Sequence, residues 1–348
     1  MTNCRNIPLK ILAVEPIGAH ESFDRFFLRC FRTLGHVTLA APVRFAESAD
    51  VDARIDIPAP LFRQRGKVGA RWNAIRVLDY ILKNVSLEDY DVIVFLAYET
   101  ISFSVRWPRS KKVFLFEHNN IENARGSYIK TFFYNRISAN AVRLAFQNPS
   151  VQFIQETTGG VAVQVPFPYC RQEVSDSGVG PNKSVPDRPP GQPIVIFSPS
   201  SSTPEESQDG LKEFASTRND VYYAICKGSP AKKADGWETR PFFDDYEGLM
   251  QSCAMVFVGV RSRFDYRVSG AAYEALSFGK PVVLFDSVFA RELRDENPGL
   301  VFVIKDMDDI QNIEIDPKGT RKAQERFLRR HSFDAILTKM ATAILAEI

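Results

Sequence analysis

Short apolar runs alternate with longer amphipathic stretches along most of the chain. In the first half, residues 10–14 read as a strand, 20–34 as a helix and 36–41 as a strand. A helical period covers 69–83, strands are expected at 91–97 and 112–116, a helix at 128–146 and a strand at 151–155. Continuous Val, Ile, Leu and Phe runs separated by helices describe a parallel sheet covered on both faces. The same alternation returns in the second half. Strands are expected at 194–197, 221–226, 255–259, 281–285 and 300–304, with helices at 204–216, 244–253 and 333–348.

Between Cys170 and Pro193 the pattern breaks. Five prolines stand there among Ser, Gly, Asp and Lys, with no apolar period, which reads as a linker. The expected architecture is α/β, with two Rossmann-like doubly wound parallel-sheet domains facing a cleft. Residues 1–168 form the first domain, 169–193 the linker, 194–330 the second domain, and 331–348 a terminal helix. A chain of 348 residues accommodates two such cores.

Composition narrows the partners. A formal net charge of +2 points to neither nucleic acid nor an acidic ligand, and 45% apolar with 25% charged residues is ordinary for a globular protein. No apolar run reaches membrane-span length, and Ile11 to Val14 is too short for a signal-peptide core. Five scattered cysteines without a Cys-x-x-Cys pair suggest a reduced, cytoplasmic setting and no thiolate metal site.

The most informative segment runs from Arg267 to Val283. It reads as a short helix with Ser269 as N-cap, stopped at Gly279-Lys280-Pro281 and leading into an apolar strand. Its one charge, Glu274, lies about a turn from an amino terminus whose free N–H groups favour an anion. That suits a nucleoside diphosphate, with pyrophosphate at Ser269 and Gly270 and the carboxylate on the ribose hydroxyls. The alternative is a surface helix with a solvated glutamate. Arg261, Arg263 and Arg267 just upstream are candidates for the charge that steadies a departing phosphate, or else a solvated basic loop.

The stretch 243–258, the run Tyr273-Glu274 to Pro281-Val282-Val283, Glu292-Leu293, and Arg330-His331-Ser332-Phe333-Asp334 together resemble the GT-B glycosyltransferases. The resemblance is strongest to the retaining family 4 enzymes, many of which build bacterial polysaccharides. It implies transfer of a sugar from a nucleoside diphosphate donor, UDP- or GDP-linked, to a glycan or lipid-linked acceptor. It further implies that Glu274 holds the donor ribose, that no metal or other cofactor is required, and that the last helix returns to the first domain. Two features depart from the family. Tyr266 stands where a first glutamate is usual, leaving Asp265 as the nearby acid. The loop 198–203 lacks the usual Arg and Lys, and Lys212 is its first following base. Hydroxyls and N–H groups of that loop remain able to cradle phosphate. A GT-B sugar-nucleotide epimerase and a non-catalytic nucleotide-sugar-binding protein are the rival readings.

In the first domain, Glu117 and His118 close a strand and are the expected catalytic candidates, either one as a base on the acceptor hydroxyl if the reaction inverts. Gly18 marks a turn of close backbone approach near the donor, with Glu15, His20 and Glu99 as weaker acid–base candidates. Residues 63–83 and 125–143 interleave bases with aromatic and aliphatic side chains, which suits an anionic membrane surface on the cytoplasmic face or a basic solvent face. Asp50-Val51-Asp52 and Asp306-Met307-Asp308-Asp309 read as loop charges.

Overall fold

A computed structural model of the chain describes residues 8–17, 21–46, 49–63, 66–108, 113–137, 141–169, 192–200, 202–260 and 265–348. The linker expectation at 169–193 falls almost entirely outside them. The chain divides into two compact units, Met1–Pro168 with Phe333–Ile348, and Tyr169–Ser332.

The first unit runs β1 (Leu9–Val14), α1 (Glu21–Leu34), β2 (Gly35–Pro42), α2 (Val43–Ala46), β3 (Ala53–Ile57), α3 (Gly66–Asn84) and β4 (Val92–Phe95). It continues with α4 (Thr100–Arg106), β5 (Val113–Phe116), α5 (Asn120–Arg125), α6 (Tyr128–Arg136), β6 (Ala141–Ala145), α7 (Asn148–Thr158) and β7 (Ala162–Gln164). All seven strands are parallel, in the order β3-β2-β1-β4-β5-β6-β7. Strands β4, β5 and β6 are buried along their whole length, as strands covered on both faces must be.

Two expectations fail here. The helix read over 128–146 ends at Arg136, and 141–145 is the sixth strand instead. Ala-Val-Arg-Leu-Ala carries a charge that a central strand tolerates only when a partner neutralises it, and that partner lies just past the end of the neighbouring strand β5. The strand read over 151–155 lies inside α7, whose first turn holds Pro149, a position where a missing N–H costs nothing.

The second unit runs β8 (Ile194–Ser198), α8 (Glu205–Ser216), β9 (Tyr222–Lys227), β10 (Lys232–Ala234), β11 (Trp237–Arg240), α9 (Tyr246–Ser252) and β12 (Met255–Val258). There follow α10 (Gly270–Ser277), β13 (Val282–Phe285), α11 (Val288–Glu296), β14 (Val301–Ile304) and α12 (Pro317–Arg330). Its sheet order is β10-β11-β9-β8-β12-β13-β14, parallel except for the β10–β11 hairpin. The last helix, α13 (Phe333–Leu345), belongs to the first unit. There Phe333 meets Phe26 edge-on at 5.7 Å and lies 4.3 Å beneath the Arg29 guanidinium.

In each sheet the chain builds outward in opposite directions from one pair of neighbouring parallel strands, β1 and β4 in the first and β8 and β12 in the second. Loops leaving the carboxyl ends of such neighbours diverge to opposite faces, and the crevice they leave is where ligands bind in open parallel sheets. Among the described residues no helix is long and apolar enough to cross a membrane.

Candidate functional site

The second unit's reversal brings together the loop after β8 and the loop from β12 into α10. Gly259, just past β12, is obligatory there. A Cβ at this position would stand 2.7 Å from the Thr203 methyl and 2.9 Å from the Ser207 Cβ. On the β8 side, the hydroxyls of Ser198 and Thr203 are buried and have no hydrogen-bond partner among the described residues. Buried polar groups are normally satisfied, so these two hydroxyls, one at the end of β8 and one in the loop after it, leave hydrogen-bonding capacity unused.

Helix α10 is built by local rules. Ser269 adopts extended backbone and its Oγ accepts from the Ala272 N–H at 3.4 Å. Gly270 opens the helix at the surface, with nothing near the position its Cβ would take. The helix stops at Phe278, and Gly279 takes φ +66°, a left-handed conformation that glycine adopts without a Cβ penalty. The following Lys280 is buried, and its Nζ donates to the carbonyls of Gln251 at 2.5 Å and Cys253 at 3.0 Å, closing the end of α9. Burial pulls its pKa down. The turn therefore anchors α10 against the element that carries Tyr246.

Tyr246 is the site residue that sequence reasoning missed. Its hydroxyl donates to Oε2 of Glu274 at 2.8 Å. Burial raises the Glu274 pKa above its ordinary value, the Tyr246 bond opposes that rise, and Glu247 adds to it. With Tyr246 as its hydrogen-bond donor among the described residues, this half-buried carboxylate keeps acceptor capacity to spare. No local signal marks Tyr246 for this role, because it lies 28 residues from Glu274 and only the folded sheet makes them neighbours.

Of the arginines expected to steady phosphate, Arg261 and Arg263 lie outside the described residues, as does Gly18, and Arg267 is half-buried two residues before the N-cap. Asp265, the one acid near Tyr266, accepts from the Val288 N–H at 3.1 Å and so caps the start of α11.

In the first unit the structure gives Glu117 and His118 different surroundings. Glu117 is almost wholly buried. Its Oε1 takes a 2.8 Å bond from the buried Arg143 guanidinium, 2.7 Å from the Tyr98 hydroxyl and 3.3 Å from Tyr134. Burial, and then the Glu117 charge, push both tyrosine pKa values well up. This conformation ties the Glu117 carboxylate to the core rather than presenting it to a substrate. His118 is half-buried, with Nε2 2.8 Å from the Leu96 carbonyl and its ring 4.7 Å from Phe23. Glu99 caps α4 by accepting from Ser102 at 2.8 Å, and Glu15 accepts from the Ile17 N–H at 2.6 Å. His20 is outside the described residues.

Both aspartate segments read as loop charges serve local structure. Asp50 and Asp52 pair with Arg32, and Asp52 also accepts from the Val37 N–H. Asp306 and Asp309 form a capping box on the turn Met307–Asn312. Burial pushes the thiols of Cys30, Cys226 and Cys253 up to about 12. Among the described residues no His, Cys, Asp and Glu cluster suited to a metal occurs.

No protein-family model matches the chain, and no curated protein matches it by sequence. Solved structures do match it by shape. HepE from Anabaena, in complex with UDP-glucose, has a TM-score of 0.65 at 15% identity, over 97% of this chain and 100% of its own. Sucrose-phosphate synthase from Thermosynechococcus elongatus gives 0.65 at 12% identity, over 96% and 98%. UDP-GlcNAc 2-epimerase from Neisseria meningitidis, bound to UDP-GlcNAc, gives 0.54 at 11% identity, over 98% and 100%. With two doubly wound sheets and these matches across nearly its whole length, the chain has the GT-B fold.

Proposed function

We propose that this chain is a glycosyltransferase that takes a sugar from a nucleoside diphosphate donor. The observation that carries the reading is Glu274, held by Tyr246 one turn inside a helix whose start is open, at the reversal point of its sheet. Glu274 accepts from the ribose hydroxyls. The N–H groups at Ser269 and Gly270, the bare hydroxyls of Ser198 and Thr203, and Arg267 with Arg261 or Arg263 hold the pyrophosphate. In the transfer, the bond from the anomeric carbon to the β-phosphate oxygen breaks and one to the acceptor oxygen forms. The donor set supports the phosphate as it gains charge.

The retaining course of family 4 is the finer proposal. In it the departing phosphate takes the acceptor proton, which agrees with Glu117 being committed to Arg143. If the reaction inverts, His118 is the base nearer solvent. No metal is needed where helix amides and arginines carry the phosphate charge. The presence of a UDP-GlcNAc 2-epimerase among the matched folds favours epimerisation as the second reading. Calorimetric titration with UDP, GDP and ADP tests the donor site, and turnover of the matching donor sugar separates the classes. A transferase consumes donor only with acceptor, an epimerase isomerises it alone, and a binding protein does neither. Absence of binding by all three nucleotides ends the proposal.

The acceptor is proposed to be a lipid-linked glycan of exopolysaccharide synthesis, met at the cytoplasmic face of the membrane. The support is a surface of the first unit. Helix α4 packs against both α3 and α6. Across these three helices Val68, Trp72, Val105, Tyr128, Ile129 and Phe132 are each more than half exposed. Residues 63–83 hold six bases to the single acid Asp79, and Arg125, Lys130 and Arg136 surround the α6 residues. A wet apolar strip framed by cations complements anionic lipid. Trp72→Ser with Tyr128→Ser is expected to lower retention on phosphatidylglycerol vesicles at least about tenfold, since each buried ring contributes roughly 1.5–3 kcal/mol. Equal retention on neutral phosphatidylcholine vesicles would remove the charge argument.

A further inference from the structure

The donor's base can be narrowed from one patch of the second unit, an inference that rests on the donor site proposed above. Strand β11 ends at Arg240 and is followed by Pro241, Phe242 and Phe243, just before Tyr246. Phe242 is 77% exposed, and it is the one exposed aromatic among the described residues of this unit. A lone exposed ring is unremarkable, but this one has a cation beside it. Lys227, the last residue of the neighbouring strand β9, holds its Nζ 5.6 Å from the Phe242 centroid and 5.8 Å from that of Phe243. That ammonium makes no ion pair or hydrogen bond with the described residues. Its three N–H donors are therefore open to a ligand.

The patch is continuous with the carboxylate. Phe243 packs 5.0 Å from Phe197 and 6.3 Å from Tyr246, and the Tyr246 hydroxyl is the group bonded to Glu274. With phosphate at the α10 start and ribose on Glu274, a base leaving the ribose on the side away from phosphate runs toward these rings. We infer that Phe242 and Lys227 form a nucleobase platform that selects a base with a carbonyl on its outer edge, uracil or guanine, over cytosine and adenine. Phe242 offers a π-face for stacking. The Lys227 ammonium donates to uracil O4 or guanine O6. Cytosine and adenine carry an amino group there, so that donor would face donor.

The experiment is calorimetric titration of the full chain with UDP, GDP, CDP and ADP. UDP or GDP is expected to bind at least about tenfold tighter than its amino counterpart, CDP or ADP, a good base-edge contact being worth that much. Phe242→Ala should weaken the preferred nucleotide about tenfold by loss of stacking. Lys227→Met should bring the carbonyl and amino nucleotides to within about threefold of each other. Both side chains lie at the surface or half-buried, so thermal melts of the variants should match wild type. Equal affinity for all four nucleotides, or unchanged binding by both variants, overturns the platform while Glu274→Gln still loses nucleotide. Binding indifferent to Glu274→Gln, or no binding at all, overturns the donor site itself and the platform with it.

Discussion

Glu274→Gln should weaken nucleoside diphosphate binding by about 10- to 150-fold while making the unliganded protein more stable at neutral pH. The loss follows from removing a charged acceptor from two ribose hydroxyls, since hydrogen bonds to charged groups contribute about 1.5–3 kcal/mol. The gain follows from the sign of the pKa shift. Burial first, and Glu247 after it, raise the folded-state pKa above the 4.5 of the free carboxyl, and the Tyr246 bond offsets only part of that rise. Ionisation therefore opposes folding. The penalty is present above the folded pKa and disappears as pH falls below the unfolded value. Gln carries no such penalty and keeps an acceptor for Tyr246. Melting curves at pH 7 and pH 4 should show the variant's advantage at the first and not at the second. A variant less stable than wild type at pH 7 would mean that Glu274 is a structural residue.

Arg143→Met is expected to cost about 3–5 kcal/mol, because it leaves the Glu117 charge buried with only tyrosine hydroxyls to answer it. Adding Glu117→Gln to the same chain should restore much of that loss. The pair is not fully satisfied even in the native protein: Glu117 Oε2 and Arg143 Nε make no hydrogen bond. A neutral replacement consequently forfeits little beyond the desolvation it relieves. Urea midpoints of the two single variants and the double give the coupling. Single variants that each lose under about 1 kcal/mol would show the strand end to be wetter than the structure has it.

The pair also marks the limit of what the sequence made legible. Most strands and helices stood in the apolar period, because a parallel strand buried on both faces and an amphipathic helix leave different spacings. Helix α10 was legible to the residue, from Ser269 as cap to Gly279 as stop, since capping is a contact between near neighbours. So was the place of Glu274 within it. Strand β6 was not. Its Arg143 reads as helical surface until Glu117, 26 residues earlier, is brought beside it by the β5–β6 pairing. The same pairing draws Glu117 into the core, away from the solvent-facing part that its neighbour His118 keeps.

By itself, then, the sequence determined two doubly wound halves and one short capped helix carrying a carboxylate, all written in periods and caps that span a few residues. Tertiary structure alone decided which acid is spent on a buried arginine, which tyrosine holds Glu274, and that the ammonium of Lys227, at the end of its strand, comes near both Phe242 and Phe243. Those partners lie from 15 to 28 residues apart along the chain, and the order of strands in the sheet, which no local pattern encodes, is what makes them neighbours.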